Sequence, residues 1–210
     1  MSIDLLICSV PSIEIYLPPA APATLIGFLN NSGITSRFVD LNLLMLDQCN
    51  KYFDKLNSYF VNEYSTLDSE ISVPLEKTLD LWTQEINSYQ FKWLGISVFS
   101  DNSRRATIDL LNRYKTRDFK IVIGGMGVSV DFGNELISQG LIDSYIIGEG
   151  EYALLNLLNG NSTYPGINSV GNQIEDLDNL GFADYTDYNL SRYPGFYNEP
   201  VIQITGSRGC

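Results

Sequence analysis

Short apolar runs alternate along the chain with longer segments in which apolar residues recur every three or four positions. The runs at 3–10, 35–42, 93–100, 120–128 and 143–151 predict buried β-strands. The intervening segments predict helices at 18–33, 46–60, 74–89, from 102 or 103 to 114, 131–139 and 152–158. This alternation predicts an α/β fold: a doubly wound, flavodoxin-like parallel sheet of five strands in the order 2-1-3-4-5, with helices on both faces.

Several helix boundaries can be predicted from individual residues. Apolar positions at Leu46, Cys49, Phe53, Leu56 and Phe60 have the 3, 4, 3, 4 spacing of one face of a single helix. A proline in the first turn of a helix sacrifices no hydrogen bond, so the next helix is expected to begin close to residue 74. Glycines at 33 and 140 are expected to end the helices that precede them.

The chain after residue 159 has a different composition. Residues 160–200 are rich in Asn, Asp, Tyr, Gly and Pro and show little periodicity, whereas their tyrosines speak against simple disorder. We predict a domain at 1–159, an extended linker at 160–200 that packs on a surface, and a further strand at 201–205. That strand leads into a glycine-rich turn and Cys210.

Composition excludes several classes of function. The net charge of −12 is unfavourable for binding nucleic-acid backbone or anionic lipid. The absence of histidine excludes Ser-His-Asp and Cys-His catalysis within this chain and metal binding by imidazole. Three widely spaced cysteines do not form a Cys-x-x-Cys pair, and the N-terminus lacks the basic region of a signal peptide. We therefore expect a cytoplasmic protein with neither nucleic acid nor membrane as a partner.

Candidate binding residues follow the predicted strands, because ligands of doubly wound sheets bind beyond the carboxyl ends of the strands. The third strand leads into FSDNSRR, the fourth into GGMGVS and the fifth into GEGE. Glycines allow close approach of a ligand, and helix N-termini at this edge favour anions. Each stretch is also compatible with an ordinary turn: GGMGVSV departs from a dinucleotide fingerprint at Val130, and GEGE can be a turn with two solvated acids.

The order of these stretches resembles the N-terminal cobalamin-binding domain of radical SAM enzymes. The matching pieces are LPPAAPATLIGFL, FVDLN, WLGISVFS, IVIGGMGVS, IDSYIIGEGEYALLNLL, LDNLGFADYTDYNLSRY and IQITGSRGC. The GEGE segment is the most specific of them, and the resemblance covers essentially the whole chain. In that family, the last strand opens the radical SAM barrel, and Ser-Arg-Gly-Cys begins a Cys-x-x-x-Cys-x-x-Cys motif.

The resemblance implies a set of cofactors and residues. Cobalamin would bind without a histidine ligand, and the full enzyme would hold a [4Fe–4S] cluster and S-adenosylmethionine. Cys210 would be the first cluster thiolate, whereas the other two cysteines of the motif are not in this sequence, so the chain alone is not expected to perform radical chemistry. The partner would be the radical SAM barrel. The cofactor-binding residues would be Pro18, Ser97, Ser100, Asn102, Gly124, Gly125, Met126, Gly148, Glu149, Gly150 and Glu151.

Other functions stay open at this point. The domain could be a cofactor-free module that shapes the substrate cleft of a radical SAM protein or recruits a partner. A free-standing flavodoxin-like or receiver-like module is a third possibility, although the first strand ends in Ser9, Val10 and Pro11 rather than in the acidic cluster of a receiver. The methylthiotransferase branch requires three cysteines from the N-terminal domain, and only Cys8 and Cys49 are present there.

Overall fold

The computed structural model describes residues 2–11, 15–62, 65–195, 199, 201–204 and 207–208. Within them, five parallel strands form one sheet in the order β2-β1-β3-β4-β5, which confirms the predicted topology. The strands are β1 (Ile3–Ser9), β2 (Ser36–Asp40), β3 (Phe91–Ser97), β4 (Lys120–Gly124) and β5 (Ser144–Ile146). Cys210, the predicted metal ligand, lies outside the described residues.

Helices cover both faces of the sheet. They are α1 (Ala20–Asn31), α2 (Leu41–Cys49), α3 (Phe53–Val61), α4 (Ser69–Asn87), α5 (Arg104–Asn112), α6 (Val130–Ser138) and α7 (Gly150–Leu158). Residues of α1 and α7 pack with Leu5, Ile7 and Val122 on one face. Residues of α2 to α6 pack with alternate positions of the same strands, such as Leu6 and Ile123, on the other. The near-continuous apolar strands are explained by this burial on two faces.

The predicted helix at 46–60 is broken into two. Helix α2 ends at Cys49, a short 3₁₀ turn follows at Asn50–Tyr52, and α3 begins at Phe53. Cys49 leaves the helical region with φ −121° and ψ 22°. The break allows α2 to pack on β1 and α4 while α3 packs on α5, so both halves of the apolar stripe reach the core.

Helix α4 begins earlier than Pro74 predicts. Asp68 is its N-cap, with a carboxylate that accepts a hydrogen bond from the backbone N–H of Glu70 at 3.0 Å. Pro74 therefore lies inside the helix and not in its first turn. The cap fixes the start of α4. Pro74 therefore falls in the second turn, where the helix accommodates a residue without a backbone N–H. The face of α4 that contains Leu75, Leu79, Trp82 and Ile86 is buried.

The connector, residues 160–195, binds both edge strands of the sheet. Beside β5, Asn168 pairs with Tyr145 through Asn168 N–H to Tyr145 O and Tyr145 N–H to Asn168 Oδ1, both at 2.8 Å. Beside β2, the backbone N–H of Phe38 donates to Asp187 Oδ2 at 2.8 Å, and the Tyr188 ring stacks on Phe38 with centroids 4.3 Å apart. These contacts satisfy edge groups that a solvent-exposed strand leaves open to other chains.

The connector also crosses α1 at Gly27. A Cβ atom at this glycine would lie 2.0 Å from the carbonyl oxygen of Phe182, so only glycine fits beneath the crossing backbone. The backbone N–H of Asp184 donates to Ala23 O at 2.9 Å on the same helix. Residues 160–195 are thus packed on a surface, as the tyrosine content predicts.

Residues 201–204 are not in a strand, unlike the prediction for 201–205. A strand requires a hydrogen-bonded neighbour, and none of the described residues supplies one to this segment. Its backbone is attached through the Tyr185 hydroxyl, which donates to Gln203 O at 2.9 Å. In the part of the chain that the structure describes, no helix has the length and apolar character needed to span a bilayer.

Candidate functional site

The carboxyl edge of the sheet ends in a row of small and polar residues. Strand register places Ser9 beside Asp40 and Ser97, and it places Gly124 beside Ser97 and Ile146. Side chains alternate along a strand, so these row positions face the side of the sheet that α1 and α7 cover. Ser97 and Gly124, both predicted site residues, are therefore neighbours, and Ser97 borders the point between β1 and β3 where the strand order reverses.

Gly124 differs from the glycines that follow it. A Cβ atom at Gly124 would meet Ile146 only at the ordinary contact distance of 3.7 Å. At Gly125, which has a positive φ of 115°, a Cβ would lie 2.5 Å from Val98 O, and at Gly127 it would lie 2.4 Å from Ser100 O. Glycine is thus required at 125 and 127 because the loop after β4 packs on the loop after β3. Of the residues that the structure describes, none requires the glycine at 124.

The loops after β3 and β4 are fastened to each other. The N–H of Gly127 donates to Val98 O at 3.0 Å, and Arg104 Nε donates to Gly127 O at 2.8 Å. At the surface of these loops, Phe99 and Met126 are exposed, with 56% and 79% of their surface accessible. The edge therefore presents two apolar side chains on neighbouring loops.

Polar groups lie next to these apolar side chains. Ser100 and Asn102 are both half-buried, with Asn102 in the short 3₁₀ turn Asp101–Ser103. Among the described residues, the side chains of Ser97, Ser100 and Asn102 have no hydrogen-bond partner. Their polar atoms are available to a ligand at the carboxyl edge.

The GEGE turn is held by residues far away in sequence. Glu149 Oε2 accepts a hydrogen bond from the backbone N–H of Ile174 in the connector. Glu151 is only 3% exposed, and its Oε1 lies 2.5 Å from Nη2 of Arg208, whereas its Oε2 is buried without a partner among the described atoms. Gly148 has a positive φ of 98°, which explains glycine there. The sequence alternative of two solvated acids is wrong for Glu151.

Pro18 is buried just before α1, at the same end of the sheet. The next residue, Pro19, is the N-cap position of α1, and its carbonyl accepts a hydrogen bond from the Tyr188 hydroxyl at 3.0 Å. Pro18 thus belongs to the bend where the connector meets the first helix. Its side chain carries no polar group to offer a ligand.

The pattern of the sequence did not reveal the role of Asp40. Asp40 Oδ1 accepts from the Ser9 hydroxyl at 2.9 Å, and Oδ2 accepts from the Tyr193 hydroxyl at 2.6 Å. Burial raises the pKa of Asp40, although hydrogen bonds from Tyr193, from the backbone of α2 and from Ser9 oppose that rise. The signal in the sequence is an aspartate directly before an apolar helix, because Asp40 also caps α2 through the N–H groups of Asn42 and Leu43.

Cavities lie away from the small-residue row. One of about 470 Å³ lies between the end of α2 and the start of α4, with Cys49, Tyr52 and Pro74 among its lining residues. A second, of about 290 Å³, lies between the connector and the start of α7 and includes Glu149 and Tyr164.

The described residues contain no cluster of three potential metal ligands. Cys8 and Cys49 are both buried, and burial raises the pKa of the Cys8 thiol far above its usual value. Their positions on β1 and α2 are explained by the apolar core.

Comparisons with known proteins give a fold likeness alone. No protein-family model matches the chain, and no curated protein matches it. Among solved structures, the chain is similar to the radical S-adenosylmethionine methyltransferase TsrM from Kitasatospora setae. The structure of TsrM with cobalamin and a [4Fe-4S] cluster aligns with a TM-score of 0.50 and 16% identity over 80% of this chain. The structure with tryptophan and a SAM analogue aligns with a TM-score of 0.50 and 15% identity. The chain spans only 27% and 28% of these two neighbours.

Proposed function

We propose that this chain is the cobalamin-binding portion of a radical SAM methyltransferase. The observation that carries the proposal is the Ser97 and Gly124 pair beside the switch point, where none of the described residues requires glycine at 124. A ligand that lies close over the ends of β3 and β4 accounts for it. The likeness in fold to TsrM, which was solved with cobalamin bound, supports cobalamin as that ligand.

The residues of this edge fit a large ring with polar side groups. Phe99 and Met126 would contact apolar parts of the corrin, and the unpaired side chains of Ser97, Ser100 and Asn102 would meet its amides. The chain holds no histidine, so cobalamin would bind without an imidazole ligand from this chain. Bound cobalamin supplies a cobalt centre that can carry a methyl group. The remainder of the enzyme, with the barrel, the cluster and S-adenosylmethionine, would complete the reaction, and Cys210 would be one cluster ligand.

Retention of cobalamin by the 210-residue chain tests the proposal. The protein is mixed with hydroxocobalamin and desalted, and the corrin absorption that elutes with it is measured against protein concentration. We expect close to one corrin for each chain. The variant Ser97→Leu, which places a larger side chain on the row, is expected to raise the Kd at least about tenfold, the effect of a lost interaction worth about 1.4 kcal/mol.

Ser88→Leu is the matched control for that substitution. Ser88 is exposed and follows α4 at the opposite end of β3, so the same change there is expected to leave binding unaltered. Both variants are compared by thermal unfolding before binding is measured. Absence of corrin on the desalted wild-type protein rejects the proposed function, and an equal loss in both variants rejects the proposed place of binding.

One observation favours a second function, a cofactor-free module that organises the segments around it. The GEGE turn is already bonded to the connector through Ile174 and to Arg208. If the edge serves only to hold these segments, the wild-type chain retains no corrin, and its carboxyl edge should show no protection from hydrogen exchange when hydroxocobalamin is added.

A further inference from the structure

The segment after residue 200 lies on the domain with little apolar burial. Ile204 is 82% exposed and Ile202 is 39% exposed, and residues 201–204 have no strand partner. Its described attachments are polar: the hydrogen bond from Tyr185 to Gln203 O and the ion pair of Arg208. The position of this segment therefore depends on a small number of polar contacts.

The ion pair of Arg208 is unlike an exposed surface pair. The side chain of Glu151 is 4% exposed and that of Arg208 is 27% exposed, and their charged atoms lie 2.5 Å apart. Glu149 provides a second carboxylate, with Oε1 3.8 Å from Nη1 of the same guanidinium. A buried carboxylate is unfavourable unless a cation or hydrogen-bond donors compensate its charge. Arg208, 57 residues away in sequence, compensates Glu151.

We propose that Arg208 is a positioning residue that fixes the chain after residue 200 against the turn at the start of α7. Removal of the guanidinium leaves Glu151 buried without its cation, and the segment retains only the Tyr185 bond among its described attachments. The contact is independent of any cofactor. Its consequence rests on the proposed function: Arg208 precedes Cys210 by two residues, so this ion pair would set the cluster-bearing segment relative to the cobalamin-bearing edge.

Cleavage of the native protein by thermolysin, which cuts before apolar residues such as Ile202 and Ile204, tests the proposal in the whole chain when the products are followed by mass spectrometry. Arg208→Gln is expected to raise the cleavage rate within residues 201–204 about tenfold, the effect of a pair stronger than a surface pair but still partly screened by solvent. Arg208→Lys keeps the positive charge and is expected to stay within about threefold of the wild type. Lys55→Gln breaks the exposed Lys55–Glu70 pair and is the control, with no change expected in this cleavage rate.

Glu151→Gln provides the partner half of a double-mutant cycle. If both residues act through one contact, the double variant Arg208→Gln/Glu151→Gln is cleaved within residues 201–204 no more than about twofold faster than either single variant. An unchanged cleavage rate in Arg208→Gln, or multiplied effects in the double variant, overturns the proposal. If the Glu151→Gln protein does not fold, the comparison of Arg208→Gln with Arg208→Lys still tests the proposal.

The positioning role of Arg208 and the proposed cobalamin binding are tested by separate measurements. Corrin retention after desalting reports only on cobalamin, and thermolysin cleavage within residues 201–204 in cobalamin-free protein reports only on Arg208. Loss of corrin binding in the wild type leaves the cleavage result standing.

Discussion

Replacement of Gly27 by alanine is expected to destabilise this protein, although the same change stabilises most helices. Gly27 lies inside α1, where alanine in place of glycine favours the helix by about 1 kcal/mol. The new Cβ would lie 2.0 Å from Phe182 O, whereas real contacts of this kind are essentially never below 3.0 Å. The connector backbone must therefore move by about 1 Å or leave the helix.

The opposing contributions can be compared. Overpacking of a fitted contact costs about 1–3 kcal/mol. Displacement of the connector also breaks the bond from Asp184 N–H to Ala23 O, which contributes about 1 kcal/mol. Against a helix gain of about 1 kcal/mol, the net effect is a loss of about 1–3 kcal/mol in the free energy of unfolding.

Urea unfolding followed by circular dichroism measures this change, and chymotrypsin cleavage at residues 182–188 reports whether the connector has left α1. Gly150→Ala is the control, because its Cβ would make only an ordinary contact of 3.5 Å with Leu25. The control is expected to be neutral or slightly stabilising. A Gly27→Ala protein that gains about 1 kcal/mol and resists chymotrypsin as the wild type does would refute the packing of the connector on α1.

Three further predictions concern ionisable groups. Tyr193→Phe removes the hydroxyl bonded to Asp40 and is expected to lose about 1–3 kcal/mol at pH 7. Burial raises the pKa of Asp40, so the buried carboxyl gains its destabilising charge as pH rises through that pKa. As pH falls towards about 4 this charge is lost, and the free energies of unfolding of the wild type and the variant, measured in urea, should converge. The hydrogen bond from Lys92 lowers the pKa of Asp4 from 3.8 to about 2, so its contribution is present above pH 4 and lost towards pH 2; Asp4→Asn should flatten that part of an acid unfolding curve. Burial raises the pKa of the Cys8 thiol, so iodoacetamide at pH 8 should alkylate Cys8 only in urea. Rapid alkylation of Cys8 in the native protein, detected by mass spectrometry, would contradict its place in the core.

The sheet could be predicted from the sequence because the central residues of each strand are apolar and buried. The placement of Ser97 beside Gly124 could likewise be predicted, since parallel strands bring their carboxyl ends to one edge. The helix break after Cys49 could not, because the apolar spacing continues through it and only packing against other helices requires the bend. Pro74 misled the prediction of α4 because a cap six residues earlier outweighs the preference of proline for the first turn.

The contacts of the connector could not be predicted from local sequence pattern, for a different reason. The bond between Asp40 and Tyr193 joins residues 153 positions apart, and the pair of Glu151 and Arg208 joins residues 57 apart. None of these four residues belongs to a periodic apolar stripe, which is the pattern from which burial can be predicted. The tyrosine content of residues 160–200 indicates that this part of the chain packs, but it does not indicate where.

The contact between Tyr188 and Pro19 spans 169 residues, and this has a consequence for the newly made protein. The surface of α1 and β2 is synthesised early, but its cover arrives only when residues 180–193 leave the ribosome. At about 5–20 residues per second, that interval is roughly 10–30 seconds. Throughout it, Phe38 and the α1 surface around Gly27 are open to solvent, so a chaperone that binds nascent chains would meet them before the connector does.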